Sequence, residues 1–319
     1  MLLGHWLTGV RGVGRHVAGW VSGQRRRVAA RPAAIRAEVL EQRSLLSAVW
    51  VAQGPTTSQN GQVEGIADRE VIGAVHAVVT HPTDANTMYV GSVNGGVWKT
   101  TNATATDPTW TPIFDQQSSL SIGAMTMDPA DPDRILVGFG HYSSYFSIGG
   151  NLVGIALTAD GGDTWTEIDN PIFRGKTISG VAVRGDMLLV SASPFFGNGS
   201  PGGLFRHADA TSPFVEITGT AAMPAGGIFD LVSDPGNPNR IYVSGQAGIF
   251  RTDDAGATWT NVSGAAAAAI NGNTNNLELA VHNHTGNGTN AVYAVVVNNG
   301  VTAGVFRSSA GVDGVNERQ

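Results

Sequence analysis

Thr158–Trp165 reads TADGGDTW, and Thr252–Trp259 reads TDDAGATW. Both strings fit S/T-x-D-x-G-x-T-W, a tight hairpin spelled out residue by residue. An Asp inside such a turn accepts main-chain N–H bonds, and Asp160 and Asp253 are assigned that role. Gly162 and Gly256 supply the positive φ that the turn needs. Thr158, Thr164, Thr252 and Thr258 flank the two turns. Trp165 and Trp259 then offer large apolar side chains to pack between neighbouring layers.

Working outward, each box closes a longer repeat. Upstream lie paired strands joined by a Pro/Asp/Asn/Gly turn, as in Ile122–Gly138 (IGAMTMDPADPDRILVG) and Ile228–Gly245 (IFDLVSDPGNPNRIYVSG). Ile72–Gly91, Ile178–Ser191 and Leu277–Val297 repeat that arrangement. A third strand of the form G-x-[FW]-[RK]-[ST] follows at Gly96–Thr100, Gly248–Thr252 and Gly304–Ser308, with looser copies at Gly154–Thr158 and Gly203–His207. The fourth strand starts at the box tryptophan and ends on an aliphatic residue: Trp110–Ile113, Trp165–Ile168, Phe214–Ile217 and Trp259–Val262. Four short strands per unit, recurring at roughly fifty residues, predict an all-β fold, a β-propeller of four-stranded blades. Five units are visible. The fifth ends after its third strand, so the ring is expected to be incomplete, an open arc with the edges of its first and fifth blades unpaired.

The box resembles the Asp-box, or BNR repeat, of sialidases, sortilin-type receptors and photosystem assembly factors. That resemblance implies a propeller. It says little about chemistry, because the Asp is occupied by its own turn.

Composition narrows the function classes. The chain has 319 residues, no Cys, 14% charged residues and a net charge of −6, so it has no disulfide framework and no thiolate metal site. No apolar run approaches the ~20 residues of a membrane span. Residues 1–48 hold eight Arg against two acids, whereas the remainder is acidic. A basic leader before an acidic body, with no groove-reading motif, argues for targeting rather than nucleic-acid binding. Leu40–Ala48 (LEQRSLLSA) resembles the LE-x-R-x-LLSA box of exported planctomycete proteins. Trp50–Pro55 (WVAQGP), Gly61–Val63 (GQV) and Gly95–Asn102 (GGVWKTTN) are similar to planctomycete-type surface proteins with BNR repeats. This implies an exported or cell-surface protein. Residues 1–48 are read as a mostly disordered leader and 49–319 as the propeller, its C-terminus truncated.

Candidate ligand residues come from propeller geometry, which separates loops onto two faces. The boxes and the Asp128–Asp133 and Asp234–Asn239 turns share one face. The other receives Tyr142, Tyr145 and Phe146 from one long loop, Phe195 and Phe196 from the next, and Phe173, Arg174 and Lys176 from the segment between them. Aromatic faces beside hydrogen-bonding groups suit stacking on a sugar chain. The same aromatics equally suit anchoring their own Gly-rich loops.

Catalysis finds less support. Sialidase chemistry needs a convergent Arg cluster, whereas Arg134 and Arg240 occupy one repeat-locked position, and Lys99, Arg206, Arg251 and Arg307 another. Similarity to the xyloglucan-hydrolysing Asp-box enzymes implies an Asp just before a Gly-Gly in the first blade. Ser92–Val97 reads SVNGGV and places Val93 there. Asp128, Asp131 and Asp133 read better as a Pro-stiffened turn than as a calcium loop, and His282 and His284 as a solvated turn rather than a metal site. The expectation is a non-catalytic propeller binding a polysaccharide or a surface protein, without cofactor or metal. The alternative is a divergent glycoside hydrolase. A carboxylate pair in the central channel would favour the alternative, and a channel of repeat-equivalent apolar and hydroxyl side chains the expectation.

Overall fold

In the computed structural model, residues 73–140, 150–193, 202–220, 223–283, 290–308 and 317–318 are described. They form five four-stranded antiparallel sheets. The first blade contains β1 (Val75–Thr80), β2 (Met88–Ser92), β3 (Val97–Thr100) and β4 (Thr111–Pro112). The second contains β5 (Ile122–Met127), β6 (Ile135–Phe139), β7 (Ile155–Thr158) and β8 (Thr166–Ile168). The third contains β9 (Thr177–Arg184), β10 (Met187–Ser193), β11 (Gly203–His207) and β12 (Val215–Glu216). The fourth contains β13 (Ile228–Ser233), β14 (Ile241–Gly245), β15 (Gly248–Thr252) and β16 (Thr260–Asn261). The fifth contains β17 (Thr274–Asn283), β18 (Asn290–Asn298), β19 (Val301–Arg307) and β20 (Glu317–Arg318). Among the described residues, helix is limited to two 3-10 turns, Pro171–Phe173 and Gly264–Ala268.

The sheets are those of a β-propeller. Innermost strands β1, β5, β9, β13 and β17 pack in sequence order. Between successive blades lie four apolar cores. Tyr89, Phe114 and Ile135 fill the first, and Ile155, Phe173 and Val190 the second. Leu189, Ile241 and Trp259 fill the third, and Tyr242, Leu277 and Phe306 the fourth. Alternation of side chains along each strand sends one set into each flanking core. Among the described residues no strand of the first blade pairs with one of the fifth, and the ring is not closed. Val78 on β1 is 58% exposed and Val301 on β19 is 69% exposed, the most exposed of the large apolar residues left bare on the two end blades, with Val75, Tyr293 and Val305 beside them.

One expectation needs correcting. The fifth blade has a fourth strand, β20, which pairs with β19 through Phe306↔Arg318 and Arg307↔Glu317. A two-residue ladder is held by main-chain bonds and needs no tryptophan box, so no sequence pattern announced it. Val49–Ala52 (VWVA), whose Trp and β-formers resemble a fourth strand and could supply an outer strand to close the ring, lies outside the described residues.

The boxes are turns of the expected kind, with one residue reassigned. Thr158 Oγ1 accepts the Gly162 amide at 3.0 Å, and Asp160 Oδ1 accepts the Thr164 amide at 2.9 Å. In the second copy Thr252 Oγ1 accepts the Gly256 amide at 2.9 Å. Here it is Asp254, not Asp253, whose Oδ1 accepts the Thr258 amide, at 2.8 Å. Asp253 points outward and pairs with Arg240 at 2.5 Å and Arg251 at 2.9 Å. The third position of the motif carries the turn, and in TDDAGATW that position is residue 254.

The box turns also join blades. Lys99 Nζ and Tyr89 Oη of the first blade donate to Gly161 O at 2.9 and 3.0 Å. Arg206 Nε of the third blade donates to the matching carbonyl, Ala255 O, at 3.2 Å. Lys99 and Arg206 thus hold the next blade, whereas Arg240 and Arg251 stay within their own. Asp128 accepts the Ala130 amide of its own turn at 3.0 Å and the Gly185 amide of the next blade at 2.5 Å, which fits the turn reading.

Candidate functional site: the axial channel

The rim expected from the sequence is only partly described. Tyr142, Tyr145, Phe146, Phe195 and Phe196 lie outside the described residues, as does His284. Phe173 is not a rim residue. It is fully buried, edge-on to Phe205 at 5.6 Å and to Phe214 at 4.8 Å. The cause is local: Asn170 Oδ1 caps the Pro171–Phe173 turn by accepting the Ile172 amide, and the turn rolls the ring into the core. Arg174 stays exposed and is held by Asp169 through two bonds, Nε–Oδ1 at 3.0 Å and Nη2–Oδ2 at 2.5 Å. Such an exposed pair stabilises little but presents a fixed guanidinium. Lys176 Nζ sits 5.8 Å from the Phe205 ring centroid. His282 is exposed on strand β17 rather than in a turn.

A better-formed site lies on the axis. Each innermost strand carries a β-bulge, and the register skips one residue in every blade: His76, Gly123, Ser179, Phe229 and Asn275. A bulge bends the strand and re-aims its side chains. All five bulge residues line one cavity of about 670 Å³, and so do the residues that follow them, Ala77, Ala124, Gly180, Asp230 and Asn276. Repetition therefore builds the channel from two stacked columns. Four blades place a small or amide residue in the second column, and the fourth blade places Asp230 there. Glu278, two residues beyond Asn276, adds a second carboxylate.

The hydrogen bonds tie these groups to neighbouring blades. Asp230 Oδ1 accepts its own neighbour's amide, Leu231, at 2.7 Å, and Oδ2 accepts the Leu279 amide of the fifth blade at 2.8 Å. Ser179 Oγ donates to Ile228 O at 2.8 Å. Glu278 Oε1 accepts Asn276 Nδ2 at 2.9 Å.

Burial pushes the Asp230 carboxyl up to about 7, with the nearby Glu278 charge adding to the shift and the two amide donors opposing it. Part of Asp230 still faces the channel, but protein encloses it on most sides, and desolvation outweighs two hydrogen bonds. His76 is lowered by burial, against the Glu278 charge and the Gly123 backbone, which raise it.

Chemically, the channel presents hydroxyls, amides, an imidazole and two carboxyl groups, and among the described residues its lining contains no Lys or Arg. It can accept hydrogen bonds from hydroxyl groups and is unsuited to an anion. Among the described residues no group of three or more His, Asp or Glu could hold a metal. The channel thus combines small side chains at one repeat position in three blades, Ala77, Ala124 and Gly180, with two carboxyl groups, Asp230 and Glu278, in one lining. Val93 is a buried aliphatic whose carbonyl accepts Ser121 Oγ at 2.8 Å. The signal for the site was in the sequence, since Asp230 is an acid inside an otherwise apolar inner strand.

No family model matches the chain. Among curated proteins it is similar to a xyloglucanase of Paenibacillus sp, 26% identical over 228 residues, which covers 60% of this chain and 21% of the relative. It is similar to xyloglucanase Xgh74A of Acetivibrio thermocellus, 24% identical over 223 residues, and 26% of that relative is covered. It is also similar to an oligoxyloglucan-reducing end-specific xyloglucanase of Emericella nidulans, 24% identical over 211 residues and 24% of that relative. The chain thus spans only a fifth to a quarter of the curated relatives it matches. Similar solved structures include an ancestral GH74 enzyme, with TM-score 0.49 and 18% identity over 85% of this chain and 34% of the other. A GH74 enzyme of Niastella koreensis follows, with TM-score 0.48 and 20% identity over 75% of this chain and 37% of the other. The chain is a β-propeller with sequence similarity to glycoside hydrolases. No helix among the described residues is long and apolar enough to cross a membrane.

Proposed function

We propose that this chain is an exported propeller that binds a neutral polysaccharide of the xyloglucan type. The observation that carries this reading is the sequence similarity, since the curated relatives it matches are named for action on xyloglucan. Arg174 and Lys176, with the aromatics of the neighbouring loops (Tyr142, Tyr145, Phe146, Phe195 and Phe196), would line the face that receives the polymer. Residues 1–48 would direct export, in keeping with the resemblance of Leu40–Ala48 to a planctomycete leader. Affinity electrophoresis tests the binding directly. The protein should be retarded in gels containing xyloglucan and not in gels containing polygalacturonate. Equal mobility in the xyloglucan gel and in a gel without polysaccharide would overturn the reading.

A hydrolytic reading is favoured by a different observation, the sharing of one cavity by Asp230 and Glu278. Two carboxyl groups whose surroundings hold one of them protonated towards neutral pH are what glycoside hydrolysis requires of its acid and base. Release of reducing ends from xyloglucan, lost in both Asp230→Asn and Glu278→Gln, would establish it. Binding without such release leaves the chain a binding module.

A further inference from the structure

We infer that the axial channel seats a segment of a neutral glycan chain, and that it excludes acidic glycans. This rests on the polysaccharide reading above and deepens it by naming where on the axis the polymer is held. Three observations carry it. The first is form: five bulges turn inward at the same place in five blades and leave about 670 Å³, within the ~300–1,000 Å³ of small-molecule sites. The second is chemistry. Asn275, Asn276 and Glu278 offer amides and a carboxylate acceptor, the groups that meet vicinal hydroxyls, while Phe229 and Val181 supply apolar surface for a sugar's C–H face. The third is charge. Among the described residues the lining holds two carboxyl groups and no Lys or Arg, so a uronate entering the channel would meet like charge.

The inner strands surround the cavity, and the edges facing it are already partly bonded. Asp230 takes the Leu279 amide, and Ser179 takes the Ile228 carbonyl. Asn275 and Glu278 are exposed side chains of the lining and are open to a ligand.

Charge inversion at Glu278 tests the inference. Isothermal titration would compare a neutral xylogluco-oligosaccharide with an oligogalacturonate of the same length, using the full chain. The wild type should bind the neutral ligand and not the acidic one. Glu278→Lys should weaken the neutral ligand about tenfold or more, the scale of one charge-assisted hydrogen bond, and should bind the acidic ligand. Asn276→Ala, a smaller change, should weaken the neutral ligand without admitting the acidic one, and it serves if the lysine variant does not fold. Equal neutral-ligand affinity in wild type, Glu278→Lys and Asn276→Ala would overturn the inference, as would equal binding of both ligands by the wild type. Xyloglucan retardation surviving those results would leave the polysaccharide reading intact. Oligosaccharide binding that responds to Glu278→Lys without any xyloglucan retardation would overturn that reading instead.

Discussion

Asp230 Oδ2 accepts the main-chain amide of Leu279 at 2.8 Å, a bond that crosses from the fourth blade to the fifth. The same carboxyl is pushed up to about 7, chiefly by burial. A carboxyl whose folded value lies above its unfolded 3.8 keeps its proton in the folded state after the unfolded chain has lost it. Its contribution to stability is therefore complete below about pH 4 and is lost as pH rises towards 7. Subtracting the pH–stability profile of Asp230→Asn from that of the wild type isolates this limb, which should fall by on the order of 1–3 kcal/mol over that interval. A difference profile that rises with pH would contradict it.

The box threonines give a second prediction. Thr158 and Thr252 are both buried, and their hydroxyls accept the amides of Gly162 and Gly256. Valine preserves their shape and removes the acceptor, leaving a buried N–H unmet. Thr158→Val and Thr252→Val should each cost about 1–3 kcal/mol in urea unfolding. Because the two boxes are remote in sequence and contact different cores, the costs should add in the double variant.

The two adjacent acids of the second box should behave differently in acid. Asp254 is drawn down to about 2 by bonds from the hydroxyl and amide of Thr258 and the hydroxyl of Thr252, which outweigh desolvation. Asp160 is drawn down to about 2 by its bonds to Thr164 and Thr158. Folded values below the unfolded one give stability that is present above about pH 4 and lost as pH falls towards 2. Asp254→Asn and Asp160→Asn should therefore flatten the acid limb of the melting-temperature profile. An acid limb unchanged in both variants would contradict it.

Much of this architecture was readable from residues. The order of four strand types predicted the five blades, because inter-blade cores demand the same alternation in every unit. The tryptophan that opens each fourth strand proved to sit one residue before it, as with Trp259 and β16. The misplacement of the second box acid came from two neighbouring Asp residues, and strict spacing from the first copy selects Asp254. Phe173 was misread because a capped 3-10 turn, rather than periodicity, decides which way its ring faces. The channel went unread for a related reason. A bulge shifts the register by one residue and breaks the period-2 signal, so the alignment of His76, Ser179 and Asn275 on one axis appears only once the strands are paired.

Packing at the axis leaves no room for a side chain at one bulge, and this gives the last prediction. Gly123 occupies the position taken by His76, Ser179, Phe229 and Asn275 in the other blades. A Cβ there would collide with the main-chain oxygen of Ile178 and lie 2.8 Å from Gly140 Cα. Both obstacles are backbone, one of them in the next blade, so relief requires the second and third blades to move apart. Gly123→Ala should therefore destabilise by about 1–3 kcal/mol or more, as overpacking does. Gly272→Ala is the matched control, because a Cβ there meets nothing within 4 Å. It should shift stability by no more than about 0.5 kcal/mol. Chemical unfolding of the two variants in parallel decides the matter, and equal midpoints would show that the blades yield at the axis without cost.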